Sequence, residues 1–193
     1  VSYEYDLLGR RIAMIEPGDR RTEYSYDLWD RKIAVQTAED QIFRFEYNSM
    51  GRVTAEIRPM GERKDYEYNE LSALTRIITA DNQQIVYEYD DANRRIRTRY
   101  FDSADDLSPV KTVSFTYNKV GVLTGYADGT SSASYRYDKA YRKVAETIYY
   151  GPFERTQQYT YYKNGLLKSY RTPEGVEYGY AYDANNRLAE FSI

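Results

Sequence analysis

A four-residue pattern recurs nine times along this 193-residue chain: an aromatic, any residue, a second aromatic, then an acid or amide. The second aromatic stands at Tyr5, Tyr26, Tyr47, Tyr68, Tyr89, Tyr117, Tyr137, Tyr161 and Tyr182, in steps of 21, 21, 21, 21, 28, 20, 24 and 21 residues. Two positions earlier stand Tyr3, Tyr24, Phe45, Tyr66, Tyr87, Phe115, Tyr135, Tyr159 and Tyr180. One position later the residue is Asp or Asn in eight copies, including Asp6, Asp27, Asp90, Asp138 and Asp183; Tyr162 is the exception. A period this short makes each copy one supersecondary unit that stacks on its neighbours.

The spacing selects the strand. Residues i and i+2 share a face of a β-strand, whereas a helix separates them widely around its axis. The intervening Glu4, Ser25, Glu67 and Glu88 then face the other way. Asp at the start of a type I turn accepts hydrogen bonds from backbone N–H groups two or more residues on. The residue three positions later closes the hairpin in the left-handed conformation, through a bulge. That position holds Gly9, Asp30, Gly51, Ser72, Asn93, Gly121, Tyr141, Gly165 and Asn186. Gly, Asn and Asp tolerate positive φ, so the turns at Ser72 and Tyr141 are expected to be strained or of another type.

Return strands follow, as in "RRIAMIE", "RKIAVQT", "GRVTAEI" and "RLAEFSI". Pro17, Pro59 and Pro173, each beside a glycine, mark the distal turns that lead to the next unit. "ADNQ" (80–83) and "ADGT" (127–130) serve the same purpose, and "FDSADDLSPV" (101–110) reads as a protruding distal loop. The expected fold is all-β: about nine hairpin units of ~21 residues, with strands of ~7 residues, in one continuous curved or spiralling antiparallel sheet over residues 1–193. The chain starts inside one motif and stops just after another, which reads as a fragment of a larger protein.

Composition narrows the function. There are 24 Tyr, 30 acidic and 27 basic residues, no His and no Cys, and the mean hydropathy is −0.81. That is too polar for a thick core and too aromatic for a disordered chain. A net charge of −3 with interspersed signs offers no basic field for nucleic acid. No apolar run approaches the ~20 residues of a membrane-spanning helix, and no membrane insertion is expected. Without His or Cys no conventional triad or reactive thiolate can be assembled. The chain reads as non-enzymatic, with no catalytic, metal or cofactor-binding residues.

The segments "YEYDLLGR" (3–10), "YSYDLWDR" (24–31), "FEYNSMGR" (45–52), "YEYDDANR" (87–94) and "YAYDANNR" (180–187) resemble the YD repeats of the Rhs family. The resemblance covers essentially the whole chain. It implies a sheet that forms an arc of a large hollow shell, enclosing a C-terminal toxin polypeptide for delivery. The implied partners are the rest of the parent shell and the enclosed toxin domain, and the implied location is secreted or at the bacterial cell surface. The family's autocleavage segment contains Asp-Pro, a dipeptide this chain lacks, so no autoproteolytic residue is carried over.

Three features have a chemical reading beside a structural one. The motif arginines Arg10, Arg31, Arg52, Arg94, Arg142 and Arg187 could line up as a basic stripe. Because they track the turn, they are read as pairing with Glu4, Glu46 and Glu88 or stacking on tyrosines. Tyr149, Tyr150, Phe153 and Tyr162 are the candidate glycan contacts of an alternative function as a surface adhesion module. Asp102 and Asp106 alternate as in a calcium loop but lack its Gly and distant Glu. The exposed strand edges near residues 2–6 and 188–193 are expected sites of self-association.

Overall fold

The computed structural model describes all 193 residues. The chain folds as two compact units. The first comprises Val1–Tyr87 and Tyr100–Val110, the second Glu88–Arg99 and Lys111–Ile193. Eighteen strands belong to one open antiparallel sheet.

The first motif hairpin is β1 (Ser2–Tyr5) and β2 (Arg11–Glu16), and the second is β3 (Arg20–Tyr26) and β4 (Lys32–Gln36). β5 (Ile42–Tyr47), β6 (Val53–Ile57), β7 (Arg63–Tyr68) and β8 (Leu74–Ile78) repeat the arrangement, each strand pairing with the next. β9 (Gln84–Tyr89) pairs with β8, and β10 (Arg95–Phe101) completes the fifth hairpin. Four further hairpins follow: β11 (Lys111–Tyr117) with β12 (Leu123–Ala127), β13 (Ser132–Tyr137) with β14 (Lys143–Tyr150), β15 (Phe153–Tyr161) with β16 (Leu167–Arg171), and β17 (Glu177–Tyr182) with β18 (Leu188–Ser192). The strands run from four to nine residues, a wider spread than the uniform seven expected from the period.

Every motif position three residues after the Asp is left-handed, glycine or not. Gly9 has φ 79°, Asn93 58°, Ser72 66° and Tyr141 59°. Ser72 and Tyr141 also keep the common frame, each donating its backbone N–H to the carbonyl of Asn69 or Asp138 at 3.0 Å. Those two turns are thus of the same type as the others, and strained rather than different.

A bulge follows the motif turn in eight of the hairpins. Glu4 faces Ala13, but Tyr5 faces Arg11, leaving Ile12 extra on the return strand. Glu46 faces Ala55 and Tyr47 faces Val53 in the same way. The extra residue resets the alternation, so Arg11 and Met14, three apart, both lie on the tyrosine face. The insertion at 101–110 does not protrude freely. Ala104 N–H donates to the Asn82 carbonyl at 2.7 Å, and the Asn82 amide donates to Ser103 Oγ at 3.1 Å.

The sheet has almost no conventional core. Buried apolar residues are mostly alanines, Ala13, Ala55, Ala133 and Ala145, with Ile77 and Phe101, and no large side chain is fully buried. Two of the alanines, Ala13 and Ala55, lie under ion pairs. Arg21 on β3 reaches over β2 to Glu4 on β1 at 2.7 Å while holding Glu23, and Ala13 is paired to both Glu4 and Glu23. Arg63, Glu46 and Asp65 make the same arch over Ala55. A larger residue beneath either arch would push the carboxylates off their arginine.

Candidate functional site: the clamp between repeats

The motif turn is built around one carboxylate. Asp6 Oδ1 accepts from the backbone N–H groups of Leu8 and Arg10 at 3.0 and 2.9 Å, and its Oδ2 accepts from Arg10 Nε at 2.6 Å. Asp27 with Arg31, Asp90 with Arg94, Asp138 with Arg142 and Asp183 with Arg187 repeat this arrangement. Fixing the guanidinium against its own turn aims the remaining nitrogens at the next repeat.

Arg10 Nη1 donates to the carbonyl of Asp27 at 3.2 Å, Arg31 to that of Asn48 at 2.9 Å and Arg52 to that of Asn69 at 3.0 Å. Arg94 reaches Asn118 and Arg142 reaches Tyr162 in the second unit. The same guanidinium groups lie 4.8–5.1 Å from the ring centres of Tyr26, Tyr47, Tyr68, Tyr117 and Tyr161, a cation–π distance. Each of those tyrosines answers in the opposite direction. Tyr26 Oη donates to the Arg11 carbonyl at 2.8 Å and Tyr47 to that of Lys32 at 2.7 Å. Tyr68, Tyr117 and Tyr161 donate to Val53, Arg95 and Lys143 at 2.8 Å. One arginine and one tyrosine therefore stitch five of the eight pairs of consecutive motif turns in both directions.

The first aromatics of the motif are covered by cations, most of them from the bulged return strands. Arg11 lies over Tyr3 and Tyr24, Lys64 over Tyr66, and Lys143 over Tyr135 and Tyr159. Across β15–β18 the rings stack on one another: Tyr159–Tyr170, Tyr170–Tyr178 and Tyr178–Phe191 have centroids 5.4–6.0 Å apart, while Tyr180 meets Phe191 edge-on.

Electrostatics follow from the clamp. Partial burial tends to raise the carboxyl pKa of Asp6 and Asp27, but hydrogen bonds from the backbone and the arginine outweigh it. At Asp90 and Asp138 the arginine side-chain bond is the leading influence, and at Asp183 it is the Arg187 backbone N–H. All five stay below the ordinary carboxylate value. Burial pushes the phenols of Tyr47, Tyr66, Tyr89, Tyr135 and Tyr159 up.

The motif arginines stack on tyrosines as the sequence suggests, but their ion pairs go to the motif aspartates. Glu4 and Glu46 are held by Arg21 and Arg63, and Glu88 by Arg97 and Arg99. Those strand arginines escaped sequence reasoning because their partners depend on register. Gly51, Gly121 and Gly165 occupy left-handed turn positions, and Tyr137 donates to the Leu123 carbonyl at 2.8 Å.

The four aromatics considered for glycan contact do not converge. Tyr149, Tyr150 and Phe153 are exposed around the β14–β15 turn, whereas Tyr162 lies beyond the other end of β15, roughly 30 Å of extended chain away. Tyr162 belongs to the clamp. The eighth unit has Leu166 where six others have arginine, and Tyr162 instead meets Tyr182 edge-on at 6.2 Å and donates to the Tyr180 carbonyl at 3.0 Å. Asp106 caps the Ser103 N–H, and no group of three or more acidic residues is placed to hold a metal ion.

The model of the teneurin YD-shell family matches residues 1–103, more than half of the chain. The chain belongs to that family. No curated protein matches it in sequence. Among solved structures, this family member is similar to the Photorhabdus luminescens Tc holotoxin pore, with a TM-score of 0.72 and 15% identity over 88% of this chain and 10% of that one. It is also similar to TcdB2–TccC3 without its hypervariable C-terminal region, with a TM-score of 0.76 and 14% identity over 96% of this chain and 12% of that one. The complex TcdB2–TccC3–Cdc42 gives 0.74 and 15% over 90% and 10%. At these identities the likeness is one of fold, and this YD-shell chain spans about a tenth of the length of those it matches.

Proposed function

We propose that this chain is a non-catalytic wall segment of an Rhs-type shell that encloses a C-terminal toxin polypeptide until delivery from a bacterial cell. The observation that carries this reading is the clamp. The reactive-looking side chains of the motif spend their polar atoms on the array itself: Asp on its own turn and arginine, Arg and Tyr on the backbone of the adjacent repeat. A surface built this way holds its own shape and presents repeated, self-satisfied chemistry rather than one irregular site. Similarity in fold to chains of a Tc toxin supports the same reading.

The test is an immunoblot of source cells and their medium with antibodies raised against this chain. The expected result is a secreted band far above 22.7 kDa, accompanied by a released C-terminal piece. A native band near the chain's own mass would overturn the reading, because nine repeats alone could not enclose a polypeptide.

A further inference from the structure

The motif turn fixes its first, fourth and fifth residues and leaves the side chains of the two between them unused. In the first unit those two positions hold Leu7-Leu8, Leu28-Trp29, Ser49-Met50 and Glu70-Leu71. Leu28 is 96% exposed, Trp29 73%, Met50 64% and Leu71 66%. The turns at 27–31, 48–52 and 69–73 each have a paired strand of a neighbouring hairpin on either side. Their exposure therefore belongs to the turn and not to the ends of the array. The distal turns at 37–41 and 79–83 share the same backbone frame but carry Ala38-Glu39 and Ala80-Asp81 at these positions. Motif turns of the second unit carry Lys119, Lys139 and Lys163 at the first of them. The turn itself thus makes no demand for Leu, Trp or Met. Two of these side chains are also held in place by the clamp: the Arg31 guanidinium lies 4.9 Å from the Trp29 ring centre, and Arg52 Nη2 donates to Met50 Sδ at 3.3 Å.

We propose that the motif-turn edge of the first unit is a seam of the wall, packed against a second row of motif turns from the parent protein. Exposed apolar side chains gathered in this way mark a contact surface. The spacing selects the partner. Successive tips are two strands apart, about 9.5 Å, and a partner that meets all of them must repeat at the same step. Another run of these hairpins does so by construction. The seam rests on the wall-segment reading: a stretch of this size is only 10–12% of the chains of like fold, and a wall of that length has other rows to supply the partner. Covering Leu28, Trp29, Met50 and Leu71 would hold the rows together through the hydrophobic effect, while Glu39 and Asp81 keep the distal edge in water.

Two methionines give a paired readout. Met50 stands on the motif edge and Met60, 90% exposed, on the distal edge. The parent protein from source cells and the chain alone are treated alike with hydrogen peroxide, which converts accessible methionine to its sulfoxide, and the two peptides are compared by mass spectrometry. Met50 is expected to react several-fold more slowly in the parent than in the chain alone, with Met60 unchanged. A benzophenone side chain installed in place of Leu28 in the parent should then photocrosslink to a peptide carrying another Tyr-x-Tyr-Asp motif. Equal Met50 reactivity in the two samples overturns the seam. So does equal protection of both methionines, or a crosslink to a peptide without the motif. A large parent with Met50 fully reactive sinks the seam alone, whereas a native protein of 22.7 kDa sinks the seam and the wall reading together.

Discussion

Two kinds of turn alternate along the chain, and their backbones are nearly the same. In the motif turn Asp27 N–H donates to the Arg31 carbonyl, and Asp30 N–H donates back to the Asp27 carbonyl. In the distal turn after β4, Thr37 and Asp40 bond to Gln41 and Thr37 in the same frame, and Asp40 is left-handed like Asp30. The side chains differ. Motif turns carry Asp or Asn at the first position and often Arg at the fifth. The distal turns at 37–41, 58–62, 79–83 and 172–176 begin with Thr or Arg and end with Gln, Glu or Val. Backbone geometry therefore does not explain the repetition of Asp and Arg. The reach of Arg31 into the next repeat does: a turn that only reverses the chain is free to vary, and one that also holds its neighbour is not. The turn after β12 is instructive, because Asp128 there accepts from the backbone of Thr130 and Ser131 and pairs with Lys111, so its carboxyl pKa is strongly lowered. A distal turn takes on motif chemistry when its aspartate has an external cation.

The sharpest break of this comparison is Asp27→Ala set beside Thr37→Ala. The first removes the acceptor of two backbone N–H groups and of Arg31 Nε, leaving a half-buried guanidinium without its counter-ion. The second loses one 3.3 Å contact from Glu39 N–H. Thermal melts should show Asp27→Ala lowering Tm by several times the shift of Thr37→Ala; equal shifts would mean that the clamp does not stabilise the array.

Acid titration is the next test. The motif aspartates have lowered folded-state values, and the unfolded value is about 3.9. Their contribution is thus fully present above about pH 4 and lost as pH falls through the folded values. Ellipticity followed from pH 7 downwards should hold above about pH 4 and fall below it. Asp27→Asn, which keeps Oδ1 as an acceptor but cannot ionise, should reduce that acid dependence.

Smaller effects discriminate within the turns. Tyr141→Gly should relieve a left-handed tyrosine and raise stability by about 1 kcal/mol, or ~2–4 °C in Tm. Asp19→Gly, in a distal turn where Asp already tolerates φ 57°, should leave Tm almost unchanged. Smallest is Asn48→Asp. Arg52 Nε is buried without a partner because its turn has Asn where other turns have Asp, and restoring the carboxylate should add up to about 1 kcal/mol, measured by urea denaturation.

Much of this was written locally. The Tyr-x-Tyr spacing of Tyr3 and Tyr5 sets a strand with one aromatic face, and Asp6 three residues before Gly9 sets the turn, since both depend on chain geometry within a few residues. Hence the all-β repeat and its hairpins were legible in the sequence. The partners of the cations were not. Arg21 and Arg10 look alike in sequence, yet one arches over Ala13 to Glu4 while the other clamps the next repeat. That choice rests on cross-strand register and on the bulge at Ile12, which moves Arg11 onto the tyrosine face. Local propensity sets the strands and turns of each hairpin, but which residues lie opposite one another is decided only when neighbouring strands pair. Most of what holds this thin sheet together is made across those pairings.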